Sequence, residues 1–517
     1  MTEVTPMPDA WKPEGAWTSQ PRMWGTPTTV DGLAGEEVVL LQELGDVWMR
    51  HQERNRRLTE YYEAKQPLRD FGTTVPEQIK AHYVPVGWAR KAVDMLAELC
   101  VFDGFVAPGT DDPFGLNARL SRAGFSGVLQ QAVQTALIHG CSFLAVLRDA
   151  DGQPVVRTHT AESAAAIWDY TRRQVKACMA VTDMDEHRNA TGLVLYLPTR
   201  SVSLSLAGGK WTVTGSAPTS GDGCDVFRIA YKPTEVKPFG RSRISRDAMR
   251  IIDAADRTIV RAEANAEFYA FPKIFMLGTS PELADMNPDE ALRLYMGRMN
   301  VVSRDVDGDS PTVTQLAAGS MDPHLSMLKA WASMFASAMN IPASSLGVVA
   351  DSNPTSADAT NAQREDLIIE AQHCDRDFGQ SLLQVARRIV KATQPGVADS
   401  DLDGLQADWR NPNTPSASMN ADAFSKLAAA IPGFSTSDVG WARAGLSRGE
   451  IIRLRATQKE TQADSALAQL IAADGIRTSG ESETTGTTEA TQDADEEAGG
   501  PAGDSPEQGG GARGQRA

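Results

Sequence analysis

Apolar residues recur at helical spacing through the first part of the chain. Leu40, Leu44, Val47, Trp48, Leu58, Tyr61 and Tyr62 predict an amphipathic helix over 36–64, with Arg50, Arg54, Arg56 and Arg57 on its wetter side. Further helices are expected at 84–99 and 125–138. The pattern then changes to short runs of strand length at 142–147, 155–159, 174–181, 192–197, 202–206 and 211–213, parted by glycine or Asp-Gly turns. Helices first and strands after predict an α+β unit.

The clearest helical stripe lies over 244–268, where Ile244, Ala248, Ile251, Ile252, Ala255, Ile259 and Ala262 share one face. A strand-like run at 274–277, a short helix at 288–296 and a section around Asp307-Gly308 follow. Over 319–340, Met321, Leu325, Leu328, Phe335 and Met339 predict one buried face, and Pro342 stops the helix. Ser326, Ala330, Ser333 and Ser337 repeat opposite that face, where small side chains let helices approach closely. Lys329 is the one lysine or arginine of this helix. Small polar residues, with a turn at Asn353-Pro354, fill 345–360. Ser356, Asp358 and Thr360 are N-cap types for a long helix carrying Leu367, Ile368 and Ala371 and running to 391. An aspartate-rich linker at 395–404 precedes helices at 423–431 and 448–470.

Ile341-Pro342, Leu346-Gly347 and the run from Asn353 to Ala359, followed by a long helix, resemble the tunnel-loop region of portal proteins from long-tailed, double-stranded DNA bacteriophages. The block from Pro238 to Ser245, leading into a helix that ends near Glu267-Phe268 and Pro272, is similar to the entry into the stem of the same family. Tyr61-Tyr62, Ala92-Val93-Asp94 and Gly104-Phe105 resemble the opening of its wing. Trp409 to Ser416, with Asp422 and Lys426-Leu427, resembles its crown. The blocks keep the family's order between residues 40 and 460.

This resemblance, to the Gp6-like portal family, implies an α+β, predominantly helical portal fold. It places an N-terminal arm at 1–35, a wing at 36–242, stem helices at 243–270 and 319–341, and a small α/β clip at 271–318. A tunnel loop and long wing helix follow at 342–395, then a helical crown at 396–476 and a disordered acidic tail at 477–517. It further implies a ring of about twelve copies at one capsid vertex of the virion, assembled in the host cytoplasm. Double-stranded DNA would pass through the ring during packaging and ejection. Gly347, Asp351, Asn353, Thr355, Ser356, Asp358 and Asn361 are the expected channel residues of the loop, and Lys329 that of the stem. Ile244, Ile251, Ile252 and Ile259 with Ser326, Ala330, Ser333 and Ser337 are expected to pack the stem. Asp289, Glu290, Arg293 and Arg298 would face the terminase large subunit and a head-tail adaptor, and major capsid and scaffolding proteins are the other partners.

At 517 residues the chain accommodates about three domains. Its formal charge of -17 excludes a protein that grips phosphates over a broad basic face. A conduit differs: its wall should let the polymer slide, and twelve copies would carry a charge of roughly -200. No apolar run is long enough to span a membrane and the N-terminus lacks a leader pattern, so a soluble cytoplasmic product is expected. Cys100, Cys141, Cys178, Cys224 and Cys374 are scattered and read as buried thiols.

No His-Glu-x-x-His pair or Walker loop is present and the histidines are dispersed, so neither an enzyme nor a cofactor or metal site is expected. DNA movement would depend on a separate motor. Asp183, Asp185, Glu186 and His187 read as an exposed turn between strands. Trp11, Trp17 and Trp24 in the Pro-, Gly- and Thr-rich arm leave two readings open, docking on a neighbouring subunit or folding back on the same chain. Two alternatives to the portal remain: a monomeric capsid-associated scaffold or adaptor, and an enzyme of unrecognised fold.

Overall fold

A computed structural model describes residues 21, 26–69, 79–80, 82–149, 152–219, 221–270, 274–277, 312–315, 320–347, 357–413 and 417–479. Helix α1 (Gly35–Tyr62) buries Leu44, Trp48, Leu58 and Tyr61 of the expected stripe, with Leu41 fully buried in place of Leu40, which like Val47 and Tyr62 is half-buried. Its first turn is fixed twice. The Ala34 N–H donates to the Glu37 carboxylate, which in turn accepts two hydrogen bonds from Arg200, at 2.8 and 2.6 Å.

Helix α2 (Trp88–Ala97), strand β1 (Phe102–Val106), and helices α3 (Leu116–Arg122) and α4 (Phe125–His139) follow. Then come strands β2 (Cys141–Arg148), β3 (Pro154–Thr160), β4 (Ala164–Asp169), β5 (Gln174–Met184), β6 (Ala190–Tyr196), β7 (Arg200–Ala207), β8 (Lys210–Pro218) and β9 (Val226–Ala230). β4 to β8 form a five-stranded antiparallel meander, and β3, β2 and β9 a three-stranded sheet in that order. Side chains alternate across a strand, so β5 serves two cores. Ala177, Met179 and Val181 join Leu41, Leu44 and Trp48 of α1, whereas Cys178 and Ala180 join Phe143, Ala145 and Val226 of the smaller sheet.

Helix α5 (Arg246–Ala270), the antiparallel pair β10 (Ile274–Leu277) and β11 (Thr312–Gln315), helix α6 (Asp322–Ala338) and the long helix α7 (Ala357–Thr393) complete this part of the chain. The main core gathers Leu96, Val133, Leu144, Ile252, Phe335 and Phe378, so α2, α4, β2, α5, α6 and α7 share one apolar interior. All five cysteines are free and buried, as expected.

The chain divides into two compact units, residues 1–416 and 417–517. The expected crown, from residue 396, is therefore split. Strand β12 (Gln406–Trp409) pairs antiparallel with β1, the Phe102 and Trp409 rings lie 5.5 Å apart, and Arg410 pairs with Asp103 at 2.8 Å. In the second unit, helices α8 (Ala417–Ala430), α9 (Asp438–Arg443) and α10 (Arg448–Ser479) are joined by the Ser437 cap on Gly440 and the Arg455–Asp438 ion pair at 2.5 Å. The end of the arm packs on its own wing: Val30 enters the α1 core and Asp31 bridges Thr212. The expected tail lies, from residue 480, outside the described residues.

Candidate channel site

The two expected stem helices, α5 and α6, pack side by side. Asn265 donates to the Met321 sulfur at 3.4 Å near one end, and Ile244, Ile252, Phe335 and Met339 share the main core at the other, so the helices run antiparallel. Ile251 and Ile259 are half-buried. On α6, Ser326, Ala330, Ser333 and Ser337 are exposed, as is Lys329. Met327 and Met334 flank the small residues at 46% and 52% exposure. Leu325, expected in the buried stripe, is also 52% exposed. Small residues and unbranched thioethers make a face that a second helix can approach closely and fill without a fixed shape.

Two buried acids tie α5 to the end of α1 and the segment before α2. The Tyr61 hydroxyl donates to Asp253, while Gln66 and the Val86 N–H donate to Asp256 at 3.0 and 2.9 Å. Burial pushes the Asp256 carboxyl up to about 6, against the pull of those two hydrogen bonds.

Where α5 begins and α6 ends, one arginine gathers the surrounding backbone. Arg243, buried, donates through Nε to the Ala92 carbonyl at 3.0 Å and through Nη2 to the Met339 carbonyl at 2.7 Å. Its Nη1 lies 2.7 Å from Glu370 on α7. Tyr231 and Lys232, just after β9, also donate to Glu370. Burial would raise that carboxyl, but the Arg243 charge and the hydrogen bonds from Arg243, Lys232 and Tyr231 outweigh it and bring it to about 2. Asn340 adds a 3.4 Å hydrogen bond to Glu370 from a left-handed backbone, φ 51°, that asparagine tolerates better than most residues. This hub joins the start of α5 and the end of α6, the expected stem helices, to α7, which follows the expected loop.

The chain leaves the hub through Ile341-Pro342 and a single 3-10 turn, Ala343–Leu346, closed by Gly347 at φ 73°. Among the described residues a Cβ there would meet nothing, and the dihedral itself calls for glycine. Asp351, Asn353, Thr355 and Ser356 lie outside the described residues, as do the clip residues Asp289, Glu290, Arg293 and Arg298. Asp358 and Asn361 fall in the opening turns of α7, with side chains outside the description. Among the described residues no cluster of histidine, cysteine, aspartate or glutamate is arranged to hold a metal ion. Asp185 instead accepts from the Asn189 backbone and side chain, at 2.7 and 2.8 Å, inside the β5–β6 turn.

A family model described as phage portal protein, SPP1 Gp6-like, matches residues 43–436. The chain belongs to this portal family. Two curated relatives are similar along most of their length. The portal protein of Mycobacterium phage D29 is 26% identical over 386 residues, covering 72% of this chain and 78% of the relative. That of Mycobacterium phage L5 is 25% identical over 388 residues, covering 71% and 77%. Among solved structures, the neck of a native GTA particle with C12 symmetry aligns at TM-score 0.38 and 15% identity, covering 77% of this chain and 91% of that one. The neck of an empty GTA particle with C6 symmetry aligns at 0.40 and 14%, covering 75% and 93%.

Sequence reasoning on this portal chain missed the Arg243–Glu370 hub. A signal was present: Glu370 sits on the apolar stripe of α7 among Leu367, Ala371 and Cys374, where a carboxylate is stable only with a partner.

Proposed function

We propose that about twelve copies of this chain close into a ring at one vertex of the capsid, the conduit for double-stranded DNA during genome packaging and ejection. The observation that carries the reading, beyond family membership, is the exposed face of α6, whose Ser326, Ala330, Ser333 and Ser337 suit close packing against the stem of the next copy. Head-to-tail closure needs two different complementary faces, and a helical pair rooted in a rigid hub presents them.

Lys329 and the loop residues Gly347, Asp351, Asn353, Thr355, Ser356, Asp358 and Asn361 line the bore in this reading. Short polar side chains give weak, replaceable phosphate contacts, so the duplex slides without base readout. The net charge of -17 per chain works the same way, disfavouring tight adsorption. Asp289, Glu290, Arg293 and Arg298 meet the terminase large subunit and later a head-tail adaptor, with scaffolding and major capsid proteins around the ring. The protein is assembled in the host cytoplasm and works as a structural part of the virion. No Walker loop lies in the chain, so a separate ATPase drives the DNA.

End-on electron micrographs of the purified full chain test this directly. Annular particles with an axial hole support the ring, and solitary particles without a hole in every buffer contradict it.

A further inference from the structure

Helix α1 and the segment 236–246 enclose an open groove of about 1150 Å³. Small-molecule pockets run to about 1000 Å³ at most, so this one suits a peptide with bulky side chains. Its floor is apolar, with Val47, Trp48, Phe143, Ile167 and Phe239. Its rim is basic: Arg54, Arg57, Lys237, Arg241 and Arg246 line it, against the single carboxylate of Glu43 among the described lining residues. Arg57 pairs with Glu53 at 3.6 Å, which offsets part of this charge. Burial together with Arg246 holds the Arg54 guanidinium below the usual arginine range, and burial with Arg54 and Arg50 holds His51 below its own. His139, 4% exposed, lines the groove with an Nδ1 that has no hydrogen-bond partner among the described residues.

The first twenty residues of the chain have the complementary character. They carry Trp11 and Trp17, and Glu3, Asp9 and Glu14 against Lys12 alone. Gln52 donates to the Pro21 carbonyl at 3.3 Å, and Thr26 packs so closely on Gly45 that a Cβ there would fall 2.3 Å from its methyl group. Twenty extended residues reach about 65 Å, enough to pass to an adjacent copy.

We propose that this groove receives residues 1–20 of the neighbouring copy, with Trp11 and Trp17 on the apolar floor and Asp9 and Glu14 against the rim arginines. The proposal rests on the ring reading above. In the assembled protein each arm would strap the next wing, adding a contact independent of the stem.

The test uses the full chain carrying Ser19→Cys and Val236→Cys, which leaves both tryptophans in place; Val236 lines the groove at 84% exposure, and the native thiols are buried. A short bismaleimide should give a ladder of covalent oligomers on a denaturing gel, and adding Arg54→Glu and Arg246→Glu should cut its yield at least tenfold. Cross-links confined to single chains, or none, overturn the proposal. Particle mass measured on the same samples separates the two readings: intact rings without a ladder remove only the strap, while monomers remove the ring and the strap with it. A chain lacking residues 1–20 supplies a second readout. Amide exchange at 47–58 and 236–246 should quicken at least tenfold on deletion, and unchanged exchange contradicts docking.

Discussion

Nη1 of Arg243 lies 2.7 Å from Oε2 of Glu370, joining the segment that enters α5 to the long helix α7. Both side chains are buried, so each charge depends on the other. Glu370→Leu leaves Arg243 without its counter-charge and should cost about 3 to 5 kcal/mol of stability. The double variant Arg243→Met, Glu370→Leu should recover most of that loss. Denaturant unfolding of the parent, both single variants and the double variant measures it, and a Glu370→Leu cost below about 1 kcal/mol would show that the hub does not hold α5 and α6.

Stability should fall as pH rises across neutrality, because two buried carboxyls resist ionisation. Burial raises Asp375 to about 7, against the hydrogen bond from Cys100, and Asp256 to about 6. Each folded-state value exceeds the unfolded value of about 3.9, so the folded chain holds these protons more tightly. Their contribution is full below about pH 4 and is lost as pH rises through 6 and 7. Asp375→Asn should therefore melt above the parent at pH 8 and with it at pH 4. Glu370, at about 2, acts in the opposite sense: its contribution is present above its unfolded value and lost as pH falls toward 2.

Two left-handed glycines separate dihedral strain from steric clash. At Gly347, φ 73°, alanine meets no described residue and should cost about 1 to 2 kcal/mol from the dihedral. At Gly240, φ 69°, an added Cβ would fall 2.3 Å from the Tyr231 carbonyl oxygen and 2.7 Å from that of Gly140. Gly240→Ala should therefore cost clearly more than Gly347→Ala in thermal melts; equal costs would contradict the close approach.

The exposed face of α6 can be blocked without touching the core. Ala330→Trp should leave the unfolding midpoint within about 0.5 kcal/mol of the parent, as surface changes do, while reducing assembly. Sedimentation of the variant checks this, and undiminished assembly would show that the face is not an interface.

Much of this architecture was legible because it is local. The stripe of α1, the alternation of β5 and the Pro342 stop all follow from side-chain period and backbone chemistry within one element. What escaped is long-range. β12 has four residues and acquires meaning only beside β1, from which residues 107–405 separate it, so no period could assign it to that unit. β4 was missed because its Ala164–Ala166 start gives little hydrophobic contrast. Leu325 shows the converse error: a side chain on the right spacing still lies exposed, because helix period says which residues share a face but not how far the covering partner extends. The small-residue stripe of α6 was visible at helical spacing, whereas the Arg243–Glu370 pair that anchors the helix joins segments no pattern connects.

The most direct test of the ring is the mass of the purified full chain in dilute solution. Twelve copies of a 55.6 kDa chain give about 670 kDa. A dominant closed species near that mass is the predicted result, and a stable 55.6 kDa monomer at every concentration would contradict the account.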